Sequence, residues 1–155
     1  MSLEDKPIEF VSAGEEDTIS RKMVAWLNRF PDIPVSVDLI DYELIEPDTA
    51  CMALSIVQST YIVERYISGA YVAEYQFKVV YRVKPGKSPD SRLKADEMLD
   101  RLGDWISTNR PDIGENLAIQ ELEQTTRSSL FARMEGGWED HQIFMRMTYK
   151  VNPGK

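Results

Sequence analysis

The sequence predicts an α+β fold: a mostly antiparallel β-sheet with two main helices packed on one face and a long β-hairpin arm. Three observations carry this. Two stretches place apolar residues at helical spacing. Between and after them lie runs of strict two-residue alternation. Turn residues bound each run, and groups of strands set between two helices favour α+β over an alternating α/β order. At 155 residues, 43% hydrophobic and 28% charged, the chain is long enough to bury its own core. One domain is expected over residues 17–155, preceded by an N-terminal arm over residues 1–16.

The elements follow in order. Residues 1–16 are polar and acidic. Asp17 is a good N-cap for a helix over about 18–30. Ile19, Met23, Trp26, Leu27 and Phe30 fall on one stripe of it, and Pro31 and Pro34 stop it. Val35, Val37 and Leu39 alternate with Ser36, Asp38 and Ile40, which suits a strand to about Leu44. Glu46-Pro47-Asp48 is a turn. Residues 51–58 and 61–67 read as two further strands, the second rich in aromatic and β-branched residues. The clearest strand is 71–83: Tyr71, Ala73, Tyr75, Phe77, Val79, Tyr81 and Val83 point one way. Its length of about 43 Å, at ~3.3 Å per residue, exceeds a usual strand. It is therefore expected to bend, or to project with residues 61–67 as the hairpin arm. Ser88-Pro89 opens a helix over 89–108, with Ala95, Leu99, Leu102 and Ile106 as its stripe. Strands are expected over 117–125 and 128–134. Glu135-Gly136-Gly137 is a turn, and a strong strand through Ile143, Met145, Met147, Tyr149 and Val151 follows.

Charge and chemistry exclude several classes. The formal charge is −8, which leaves no basic footprint for DNA phosphates. Cys51 is the single cysteine, so an intrachain disulfide is excluded and a reducing cytoplasm, or a particle assembled there, is expected. The opening residues MSLEDKPIEF lack the apolar run of a secretory signal, and no stretch approaches the ~18 apolar residues of a membrane helix. His141 is the only histidine. A zinc site of Cys and His is therefore excluded, and any Ser-His-Asp mechanism would pass through His141. Beside Glu139, Asp140 and a Gly-Gly turn, it reads better as an exposed polar residue than as a general base. Asp38, Asp41, Glu43 and Glu46 form an acidic run that fits a solvated edge better than paired catalytic carboxylates or a divalent-ion site. Gly86-Lys87-Ser88 lacks the upstream glycine of a phosphate loop. No enzyme is expected: no catalytic residue, cofactor or metal. Lys78, Arg82 and Lys84 share one strand face with Glu74, a solvated or interface face. Tyr61, Tyr66, Tyr71, Tyr75 and Tyr81 serve either as core or as a subunit contact.

Particular stretches also resemble a known family. They are Trp26-Leu27-Asn28-Arg29-Phe30-Pro31 with Ile33-Pro34, then Tyr66-Ile67-Ser68-Gly69 leading into Tyr75-Gln76-Phe77-Lys78-Val79-Val80-Tyr81-Arg82. The helix from Arg92 to Ile106 and the closing Phe144-Met145-Arg146-Met147-Thr148-Tyr149 complete the set. In this order they resemble the tail-terminator and tail-completion (minor capsid) proteins of long-tailed phages and related prophage tail-like particles. The resemblance spans Asp17 to Val151 and rests on pattern and order, since no catalytic motif defines the family.

The resemblance implies a structural virion protein. It would form a ring, usually a hexamer, that caps the tail tube, ends tube polymerisation and presents a surface to the head-side connector or neck protein. Its place would be the head-tail junction of the virion, assembled in the host bacterial cytoplasm. DNA would pass through the lumen without specific binding, and an acidic lining would keep it from sticking. A closed ring needs two unlike, complementary patches on each subunit. The arm over 59–75 is expected to supply one, with Tyr61, Val63, Arg65, Tyr66, Tyr71, Lys78 and Arg82 as contact residues. The outer face of a neighbour's sheet would be the other. The competing expectations are a neck or head-completion protein, a tail-tube subunit, or a small-ligand-binding α+β domain. In the last, Trp26, Trp105 and the tyrosines would line a pocket, with His141 or Asp41 as its polar group.

Overall fold

The computed structural model describes residues 7–153. Helix α1 (Ala13–Leu27) is followed by strands β1 (Ile40–Tyr42), β2 (Cys51–Arg65) and β3 (Tyr71–Val83). Helix α2 (Pro89–Thr108), β4 (Leu117–Arg133), a 3-10 turn at Glu135–Gly137 and β5 (Glu139–Val151) complete the chain. The five strands form one sheet in the order β1-β2-β3-β5-β4. Only β1 runs parallel to its neighbour; the other pairings are antiparallel. The fold is α+β.

The first helix begins earlier than its sequence suggests. Ser12 is the N-cap, its Oγ accepting from the Glu15 amide at 3.1 Å. Asp17 is therefore interior to the helix. Residues 13–16, expected in the arm, form the first turn, where Glu15 and Glu16 sit in the favourable field of the helix N-terminus. The described part of the arm is also tied down. Val11 N donates to Thr60 O at 3.0 Å, Ile62 N donates to Glu9 O at 2.7 Å, and Phe10 bridges Tyr61. Residues 1–6 of the expected arm lie outside the described residues.

The helix also ends at Leu27, because Asn28 has other work. Asn28 Nδ2 donates to Ile40 O at 2.9 Å, and Asn28 Oδ1 accepts from Ile40 N at 2.7 Å. One side-chain amide thus fills a place that a further strand would take. The strand expected to run to Leu44 shrinks to Ile40–Tyr42, the only residues there that find a ladder.

Two expected pairs of strands prove continuous. β2 runs through Ser59-Thr60, and β4 runs through Thr126-Arg127. The expected breaks survive as register shifts, at Ile56/Gln58 and Gln58/Tyr61 in β2 and at Gln124/Thr126 and Thr126/Ser129 in β4. β2 uses 15 residues and β4 uses 17 to run beside the 13-residue β3 and β5. Bulges absorb the surplus. At the β4 irregularity, hydroxyls replace missing ladder bonds: Thr125 Oγ1 donates to Phe144 O, and Thr126 Oγ1 accepts from Phe144 N, both at 3.2 Å.

Among the described residues, no arm projects from the sheet. β3 is paired along its whole length, Tyr71 with both Arg65 and Val151, and Val83 with Glu139. A 13-residue strand needs neither to bend away nor to protrude when β5 matches it residue for residue. The hairpin over 59–75 is part of the sheet.

The core lies on one face. Ala73, Tyr75, Phe77 and Val79 of β3 and Ile143, Met147 and Tyr149 of β5 are fully buried, as their alternation requires. Ile19, Met23 and Leu27 of α1 and Leu99, Leu102 and Ile106 of α2 close over them in the same cluster. Both helices therefore cover that face. At ~2 kcal/mol for each fully buried large aliphatic side chain, these residues dominate the stability.

Candidate interface and the buried charge network

The face opposite the helices is built from the other half of each alternation. Read across β2, β3, β5 and β4, the register gives six rows. At the hairpin end come Glu64, Val72, Lys150 and Ala118, then Tyr61, Glu74, Thr148 and Glu121. Gln58, Gln76, Arg146 and Glu123 follow, then Ser55, Lys78, Phe144 and Thr126. The last rows are Ala53, Val80, Gln142 and Ser129, then Cys51, Arg82, Asp140 and Ala132.

Charges on this face are matched. Arg82 clasps Asp140 through two bonds of 2.7 and 2.8 Å. Arg146 lies among Glu74, Glu121 and Glu123. Lys78 Nζ sits 5.2 Å from the Phe131 ring centre, and Lys150 Nζ sits 4.7 Å from that of Tyr66. The result is a broad surface of interleaved charged, polar and aromatic side chains.

The structure splits the residues expected at a subunit contact. Tyr61, Lys78 and Arg82 share the open face, and Tyr66 joins them at its end beneath Lys150. Val63 is exposed at a register shift of β2, and Arg65 is exposed and paired with Glu9. Tyr71 belongs to the helix side. Its hydroxyl donates to Glu15, which also accepts from Tyr149 Oη at 2.7 Å. Burial, together with the Glu15 carboxylate, pushes the Tyr71 hydroxyl up to about 12 and raises Tyr149 further. Of the tyrosines with two expected roles, Tyr75 and Tyr81 are core.

His141 overturns its expectation. It is 1% exposed, on the core side of β5 under the first half of α2. Its Nδ1 is 2.8 Å from Asp96 Oδ1, and its Nε2 is 3.3 Å from Glu139 Oε1. A carboxylate only accepts, so both contacts are hydrogen bonds when both ring nitrogens carry protons. Arg92 Nε donates to Glu139 at 2.8 Å, Arg133 lies 3.4 Å from it, and Ser128 Oγ donates to Asp96 at 2.7 Å. Ser128 thus meets Asp96 and not the imidazole, and the order is not that of a nucleophile and its base. The network joins α2 to β4 and β5. The odd position of His141 in the β5 alternation was the available signal, since residues 143, 145 and 147 mark that face as buried.

The acidic run is spent on chain geometry. Glu43 Oε1 accepts from Ile56 N at 2.6 Å and Oε2 from Ser55 Oγ at 3.1 Å. Asp41 accepts from Tyr42 N, and the Glu46 carbonyl accepts from Arg82. No cluster of three potential ligands for a metal ion occurs among the described residues, and none of their helices is long and apolar enough to cross a membrane. A groove of about 540 Å³ runs along α1 between Asp17, Ser20, Arg21, Val24, Ala25 and Tyr42. His141 and Asp41 are not among its lining residues, and Trp26 and Trp105 are stacked on each other.

No family model and no curated protein matches the chain.

Proposed function

We propose that this chain is a structural subunit of a phage-type tail, one that caps the tail tube as a ring and offers its far side to the head-side connector. The observation that supports this reading is the two-sidedness of the sheet. One face carries both helices and the main core cluster, while the other is a four-strand-wide surface that, among the described residues, no helix covers, with charged and aromatic side chains around buried Ala53, Val72 and Val80. A ring subunit needs a broad, chemically distinct surface for a neighbour, and the open face supplies one. The contact patch moves accordingly, from a projecting arm to the open face around Tyr61, Lys78, Arg82 and Phe131. The resemblance in residue pattern supplies the identity of the polymer that would be capped.

The experiment is direct. The purified chain is incubated with polymerising tail-tube protein, and tube lengths and ends are read by electron microscopy. Capped ends and arrested growth support the reading, and Phe131→Asp on the open face should then abolish capping with an unchanged thermal melt. Incorporation along the tubes would instead make the chain a tube subunit. Indifference to the tubes would overturn the capping reading and favour a neck protein or a ligand-binding domain.

A further inference from the structure

The two halves of α2 are held in different ways. In the second half, Leu99, Leu102 and Ile106 form a fully buried apolar stripe. At the start, Pro89, Asp90, Leu93 and Lys94 are exposed, Ser91 and Arg92 are half-buried, and the first buried residue is Ala95. Polar contacts tie this opening stretch down. Arg92 Nε donates to Glu139 Oε2 at 2.8 Å, and Asp96 Oδ1 stands 2.8 Å from His141 Nδ1.

His141 is the centre of these contacts, and each packed element brings a group towards it. From α2 come Asp96, at Nδ1, and Arg92, through Glu139. From β5 comes Glu139, whose Oε1 is 3.3 Å from Nε2. β4 pairs Leu130 with His141, sets Ser128 on Asp96 and brings Arg133 to Glu139. β3 pairs Tyr81 with it, and burial pushes the Tyr81 hydroxyl up, so that this neighbour stays neutral. The ring thus has a carboxylate at each nitrogen and is itself fully buried.

An imidazolium donates at both nitrogens, whereas a neutral imidazole has one donor and one lone pair. The shorter contact, to Asp96, keeps the last proton, and the lone pair on Nε2 then faces the Glu139 carboxylate. Away from water such a pair repels strongly. Glu139 is also the anchor of Arg92, so the repulsion falls on the bond that holds the first turn of α2.

We infer that His141 is a proton-operated latch for the first half of α2: while both ring nitrogens carry protons, residues 89–98 stay docked on β4 and β5, and loss of one proton to solvent lets them open. The docked form binds that proton more tightly than the open form. The latch therefore holds below the imidazole titration and releases as pH rises through it. Opening uncovers Ala95 and Met98, while the apolar stripe keeps the second half in place. The device lies on the helix side of the sheet and is independent of what the open face meets.

The test follows the ring and the helix together by NMR. Nitrogen-15 shifts of the His141 ring, and amide-exchange protection corrected for intrinsic rates, are recorded from about pH 5 to about pH 9, a span that brackets ordinary imidazole titration. At the acid end both ring nitrogens should be protonated. Protection over residues 93–98 should fall at least ~10-fold through the same midpoint as the ring, while that over residues 102–106 holds. Asp96→Asn removes one charge but can still accept from Nδ1, so both midpoints should fall together by about one pH unit. His141→Gln should abolish the pH step; if that variant does not fold, the wild-type chain and Asp96→Asn decide alone. The proposal is overturned by a ring with one bare nitrogen at the acid end, or by one that keeps both protons throughout. Titration of the ring without loss of protection, separate midpoints in Asp96→Asn, or a step that survives His141→Gln would overturn it equally.

Discussion

Trp26 and Trp105 stack with ring centres 4.7 Å apart and planes 25° from parallel, and this pair is the seam between the two helices. Phe30 meets the edge of the same contact, 5.7 Å from Trp105. Each helix also packs on the sheet independently, but the stack is where they touch each other through aromatic rings.

Removing one ring tests that seam. Trp26 is buried, so Trp26→Ala should cost about 3–5 kcal/mol in urea denaturation. Trp105 is only partly buried and its truncation should cost less. A double-mutant cycle between them should return about 1 kcal/mol of coupling. Strict additivity would show that the stack contributes only through area buried.

The Glu139 network gives a pH dependence with a definite sign. Burial pushes the Glu139 carboxyl up, but the Arg92 and His141 hydrogen bonds outweigh it and hold the group below its ordinary value. Its folded value lies below its unfolded one, so the stability it contributes is present above the ordinary range near ~4.3 and is lost as pH falls through the folded value. Glu139→Gln should flatten the acid limb of a plot of stability against pH. At neutral pH it should cost about 2 kcal/mol, less than a fully buried pair, because Arg92 and Arg133 are exposed enough to rehydrate. An unchanged acid limb would remove Glu139 from the account.

Gly103 and Gln124 should show a reversal of sign. A Cβ at Gly103 would lie 2.7 Å from Gln124 Cδ and displace that side chain. Gln124 Nε2 would then lose Asp100 at 2.9 Å and the Thr126 carbonyl at 2.8 Å. The loss of two hydrogen bonds, at ~1 kcal/mol each, exceeds the ~1 kcal/mol that alanine gains in a helix. Gly103→Ala should therefore destabilise by about 1 kcal/mol. In a Gln124→Ala background the same substitution should stabilise by about as much, as thermal melts of the four proteins would read.

Much of this architecture is legible in the residues themselves, for reasons that differ by element. α2 and β3 agree to the residue, because Ser88-Pro89 marks a helix start and an unbroken alternation marks a strand. α1 shows where local signals compete. Ser12 and Asp17 are both acceptable caps, and Ser12 prevails because the longer helix brings Glu15 and Glu16 to Tyr71, Tyr149 and Thr60, contacts that no local window contains. The polar pairs Ser59-Thr60 and Thr126-Arg127 resemble turns because a bulge and a turn both interrupt alternation. Neighbouring strands decide between them. The open face was partly visible, since Lys78 and Arg82 were placed on one side of β3. Its other members come from β2, β4 and β5, and only the pairing of strands brings those together. His141 needed tertiary knowledge too, for its partner Asp96 stands 45 residues away on α2.

The unequal strand lengths have a geometric consequence. β2 and β4 carry two and four residues more than the 13-residue strands they flank, and each bulge that takes up the surplus bends its strand and increases the local twist. A sheet twisted in this way along both flanks does not lie flat. Stacked fibrils require sheets that lie flat and repeat without limit. The shape that this chain imposes on its own sheet therefore opposes the endless layering that an exposed strand otherwise invites.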